Sequence, residues 1–164
     1  PKADEAIRFF KIVQNKLHYA AHGHTAAEVI FERADAEKPF MGLTTFPGEQ
    51  PRKEDVLIAK NYLNEKELKI LNNLGSGYFD FAEIQAIKRS PMYMSDYIHH
   101  LDLILSTTGE QVLQNAGTIS HEQGKQKALG EYQNYHVKTL SPVVEAYFDS
   151  IKKLTAETKK KKKK

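Results

Sequence analysis

Apolar residues recur along this chain at three- and four-residue steps, the spacing of one face of an α-helix. Between Asp4 and Ala21 they fall at Ala6, Phe10, Val13, Leu17 and Ala20, opposed by a polar stripe of Arg8, Lys11, Asn15, His18 and His22. Gly23 stands where a left-handed C-cap closes that helix. Thr25-Ala26-Ala27-Glu28 reads as a capping box for a second helix running to about Asp35. Residues Glu37 to Pro51 hold three of the six prolines and lose the period, which predicts a loop. Apolar residues between Phe40 and Phe46 are expected to pack down onto the helices rather than await a partner.

A short helix is predicted over Lys53 to Tyr62. Asn64-Glu65-Lys66-Glu67 is a second capping box, opening a long helix towards Arg89. Gly75 and Gly77 inside it each cost about 1 kcal/mol against alanine, so either a break or a close backbone approach is expected there. Further helices are predicted over Ser95 to Ser106 and Glu110 to Ala116, the latter stopped by Gly117, with a last helical region opening at the capping residue Ser120. Pro142 predicts a break or kink in that region. Across it Leu140, Val144, Tyr147, Ile151 and Leu154 step by four, three, four and three, a heptad-like seam and a candidate interface. Strand signals are weak. The pattern predicts an all-α, single-domain helical bundle of about six to eight helices over residues 1–158, followed by a disordered poly-lysine tail, 159–164.

Composition changes this picture in three respects. At 164 residues and 40% hydrophobic, the chain supports one sizeable core. It has no cysteine, which excludes disulfides, thiolate metal sites and a cysteine nucleophile and fits a reducing cytosol; neither a membrane span nor a leader is read, so a cytoplasmic location is expected. The start at Pro1 points to a fragment or a processed product. The net charge of +3 comes from the tail: without Lys159 to Lys164 the 24 basic residues fall to 18 against 21 acidic, a net of −3. The body therefore lacks the basic excess that phosphate binding needs, and direct nucleic-acid binding by this chain ranks low.

Candidate chemistry concentrates at the first helix-to-helix turn. His18 and His22 share a helix face, His24 follows the turn, and Glu28 opens the next helix. His18, His22 and His24 are candidate ligands for a divalent metal, and His18 with Glu28 a candidate acid–base pair. The same residues have structural roles to weigh against this, since a histidine suits a helix C-terminus and Glu28 suits a cap. Glu28, Glu32 and Asp35 form an acidic stripe read as a solvated face, with Arg33 free to pair inside the domain. Ser120-His121 and His99-His100 form no triad order, and Gly75-Ser76-Gly77 lacks the lysine of a phosphate loop.

Several ordered blocks resemble the RhuM virulence-protein family. They are Gln14 to Ala20, His22 to Glu28, Arg33-Ala34-Asp35, Met41 to Thr45, Ala59 to Leu63, Phe79 to Glu83 and Pro91 to Met94. The resemblance spans roughly Asp4 to Tyr135; Gly75 and Gly77 depart from the bulkier residues expected there. It implies that this chain is the C-terminal region of a protein whose N-terminal segment resembles a helix-turn-helix DNA-binding module. Some relatives pair that segment with a Fic/Doc domain, an all-α fold that transfers nucleotidyl or phosphoryl groups. Against the Fic/Doc signature His18 and Gly23 keep their spacing, whereas His22, His24 and Ala26 stand at the acidic, asparagine and arginine positions. Losing those groups removes most of the apparatus that stabilises phosphoryl transfer.

Two functions follow as expectations. In the first, the chain is an interaction or oligomerisation module that serves a DNA-binding segment absent here, touching nucleic acid only through that segment and using the Leu140 to Leu154 seam for a protein partner or a second copy. In the second, it is a toxin-like enzyme with a degenerate Fic-like or metal-dependent site at His18, His22, His24 and Glu28, acting on phosphorylated or nucleotide substrates.

Overall fold

A computed structural model describes the backbone of residues 2–161 and the side chains of 3–154. Among them are five α-helices and no strand: α1 (Lys2–His22), α2 (Ala26–Arg33), α3 (Glu65–Ile87), α4 (Met94–Thr107) and α5 (His121–Lys161). Three short 3₁₀ turns, Pro39–Gly42, Asp55–Leu57 and Ala59–Tyr62, punctuate the long connection between α2 and α3. The all-α class expected from the periodicity is the observed one, with fewer helices than the six to eight anticipated.

The predicted caps hold. Thr25 and Asn64 each accept from the backbone N–H three residues on, and Glu28 and Glu67 return to the cap amides. Ser120 and Gln123 exchange the same pair of bonds at the start of α5. Gly23 takes φ 79°, the left-handed turn that ends α1, and its N–H reaches Tyr19 O at 2.8 Å.

Helix α1 is the centre of the bundle, packing against α3, α4 and α2, while α2 packs against α5 and the Ala59–Tyr62 turn. Its inner residues Val13, Leu17 and Ala20 join Val29 and Ile30 of α2, Leu71 and Tyr78 of α3, and Leu101 and Leu105 of α4 in one core. Met41 and Leu43 from the loop enter that core, as their apolar character predicts, whereas Phe40 stays at the surface against Phe46. Gly42 is where that loop passes closest to α2. A Cβ there would lie 2.5 Å from Arg33 O, at φ +83°. Helix α5 approaches α2 across Gly124, where a Cβ would stand 3.1 Å from Ala27 O, and across the fully buried Ala128 one turn on.

Four expectations are corrected. No helix forms over 110–116: Gly109 and Gly117 both take positive φ, and the segment between them is tied down by tertiary bonds instead. The Lys53 to Tyr62 helix is two 3₁₀ turns, held by Asn61 Nδ2 donating to Asp55 O and Tyr62 Oη donating to Val56 O. α3 runs unbroken through Gly75 and Gly77, and nothing lies within 4 Å of either missing Cβ, so neither a break nor a close approach explains them. α5 is likewise continuous through Pro142. The carbonyl of residue 138 has no amide at 142 to accept from, but every residue of that stretch is exposed and water serves. The helix carries on through Lys161, into the terminal lysine run; residues 162–164 lie outside the described residues.

Candidate functional site

The histidine junction is a closed network. His18 is 0% exposed, so the stripe on which it was placed is not a solvent face. α1 is covered by α3, α4 and α2, and the second half of the helix has almost no outward face. His18 Nδ1 lies 2.9 Å from His22 Nε2, one of the two donating to the other. Their rings meet edge to face at 5.2 Å. The nitrogens that a shared cation would need are thus bonded to each other. His18 Nε2 and His22 Nδ1, on the far sides, are buried without a hydrogen-bond partner.

His24 stacks beside His22, with ring centroids 6.1 Å apart, but its nitrogens bond elsewhere. Its Nδ1 donates to His22 O at 3.1 Å and its Nε2 stands 3.1 Å from Glu32. Among the described residues no group of three or more histidine, aspartate or glutamate side chains is arranged to hold a metal ion. Burial is the main cause that pushes His18 down to about 4, reinforced by the neighbouring His22 and by Lys60. His22 is also lowered to about 4, chiefly by burial, with the Glu67 carboxylate pulling the other way. Both rings are neutral at pH 7.

Glu28 has its oxygens fully engaged. Oε2 accepts from Thr25 N at 2.8 Å, and Oε1 accepts from the Thr118 backbone N–H at 2.7 Å and from its hydroxyl at 3.1 Å. Burial raises its pKa, but the amide bonds from Thr118 and Thr25 outweigh that and hold the carboxyl below its ordinary range. Glu28 is a clasp joining the start of α2 to the loop before α5, and its bonds to Thr25 and Thr118 occupy both oxygens that a base for His18 would need. The acidic stripe divides in the same way: Glu32 faces His24, and Asp35 accepts from Glu37 N.

Two polar clusters escaped the sequence reading in whole or part. Arg33 forks onto Glu67 at 2.7 and 2.8 Å and also donates to Tyr62 O. The guanidinium holds the Glu67 carboxyl down to about 2, and the pair locks the end of α2 to the start of α3. Lys16 is buried, donating to Leu113 O at 2.6 Å and standing 2.8 Å from Asp102 Oδ1 as a charge contact rather than an aligned hydrogen bond. Its signal was available: position 16 lies between Val13 and Ala20 on the apolar face, where a lysine needs an internal partner.

The junction borders a cavity of about 440 Å³ lined by Phe10, Leu17, His18, Lys60, Leu71 and Phe79. Its wall is mixed, since Gln14, Asn72 and Ser76 line it beside the aromatic and aliphatic residues, the lysine and the neutral imidazole. His18 is the residue whose spacing to Gly23 prompted the comparison with the Fic/Doc motif histidine. Here it is sealed from solvent and bonded to His22, which occupies the acidic position.

The seam residues have the opposite character. Val137, Leu140, Val144, Tyr147, Ile151 and Leu154 are between 40% and 69% exposed. α5 packs on the body through its first half, with Lys138 still paired to Glu37, and every residue from His136 to Leu154 is exposed.

What these features define is an all-helical domain with a buried, partly satisfied histidine junction and an amphipathic helix exposed over its distal part. The chain belongs to the virulence protein RhuM family, whose family model matches residues 1–160. Neither the curated proteins nor the solved structures give a match. No helix among the described residues is long and apolar enough to cross a membrane.

Proposed function

We propose that this chain is the interaction module of a virulence-associated protein, serving a DNA-binding segment outside it through the distal half of α5. One observation carries the reading: nineteen consecutive residues of α5, 136–154, are exposed yet bear an apolar stripe at heptad spacing. A solvated helix would be polar on all sides, and a stripe of this kind is the usual mark of a helix that meets another. The net-acidic body, outside the tail, supports placing nucleic-acid contact elsewhere.

The test replaces two exposed stripe residues at once, Val144→Glu and Tyr147→Glu, in the full chain. The expected result is an unchanged thermal unfolding midpoint, since neither side chain touches the core, with loss both of self-association and of binding to the DNA-binding segment supplied as a separate polypeptide. Retention of both associations by a folded double variant overturns the reading.

A further inference from the structure

The geometry points to a second copy of this chain as the occupant of the α5 stripe, in a parallel, in-register, two-stranded coil. This rests on the interaction-module reading above and names its partner.

The stripe fixes the register. Val137, Val144 and Ile151 fall at one core position of the heptad and Leu140, Tyr147 and Leu154 at the other. β-Branched residues at the first position with leucine at the second are the combination that favours parallel pairs over higher assemblies. Two of the three second positions are leucine. Pro142 falls on the outermost position, facing away from any partner, where its missing amide costs the pairing nothing.

The flanks favour self-pairing. In a parallel coil the residue just before each first position faces, on the other strand, the residue five places later. Here that sets Val143 against Phe148 of the other copy, twice by symmetry; they are 64% and 56% exposed. The same rule sets His136 against Ser141. No lysine, arginine, aspartate or glutamate occupies these flanks between 136 and 154, so no like charges oppose and no charge code calls for a different partner. An antiparallel arrangement would separate Val143 from Phe148 and lose that match.

The area is sufficient. The six stripe residues with Val143 and Phe148 expose on the order of 800 Å² per chain, what one partner contributes to a standard interface. The stripe also starts where the body ends: one heptad before Val137, the same position is Gly130, and from there back α5 packs on α2.

Light scattering on the full chain should give twice the chain mass, and Tyr147→Glu should weaken the dimer by about 100-fold or more. The chain has no cysteine, so single thiols report orientation. Leu140→Cys and Leu154→Cys should each cross-link to themselves under mild oxidation, their partners being opposite. In an antiparallel pair that sets residue 140 against 154, two residues 140 would be about 20 Å apart, and cross-linking only between the two different variants would overturn the orientation. A trimer would overturn the strand number. A monomer at high concentration would overturn the second-copy assignment. In that case, if the Val144→Glu, Tyr147→Glu variant still loses the DNA-binding segment, the broader module reading stands and only its partner changes.

Discussion

His18 shows how a single side chain takes its character from its surroundings. Its ring is closed in by the core and bonded to His22, and both are held near 4 rather than the 6.5 of a free imidazole. Between those values the unfolded chain binds protons that the folded chain refuses, so stability falls as pH drops from about 6.5 to about 4. The loss should be on the order of 3 kcal/mol for the pair, discounted for the partial exposure of His22. The Glu67 contribution, with its carboxyl held at about 2, is lost lower, between about 4.5 and 2. Urea unfolding at pH 7, 5.5 and 4.5 separates the two windows. His18→Gln should flatten the upper one, and a wild-type stability that is level from pH 7 to 4.5 would contradict the buried neutral pair.

At the scale of elements, what was legible followed from local chemistry. The boxes at Thr25 and Asn64 and the turn at Gly23 are written in three or four adjacent residues, and the structure keeps them all. The segment 110–116 was not legible, because its conformation is decided by Lys16 and Glu28, about ninety positions away, reaching Leu113 O and Thr118. A seven-residue helix is too short to resist such ties. His18 was misplaced for a related reason: periodicity shows which face is apolar, not how many neighbours surround the helix. At Gly75 and Gly77 the sequence raised a question that packing does not answer. Nothing crowds these positions, so Gly77→Ala should stabilise the fold by about 0.5–1 kcal/mol through lost freedom of the unfolded chain. Chemical denaturation would show it as a higher midpoint with an unchanged slope; a lower midpoint would reveal a contact made only in solution or in an assembly.

For the molecule as a whole, the division that matters is between a packed body and a helix that leaves it. Helical segments exposed on every side are marginal in water, so the exposed stretch 136–154 of α5 should hold its helix more firmly when a second copy pairs with it. Circular dichroism on dilution should therefore lose helical signal in step with dissociation, while near-ultraviolet signals from the buried Tyr62 and Tyr78 stay constant. Helical content that ignores concentration over a range where the mass halves would contradict this dependence.

A 41-residue helix extends on the order of 60 Å, and α5 is gripped over little more than its first third. In a parallel coil that begins at Val137, the two bodies leave the same end of the pair and stand side by side. The two histidine junctions would then be carried as a symmetric pair, one on either side of the coil axis.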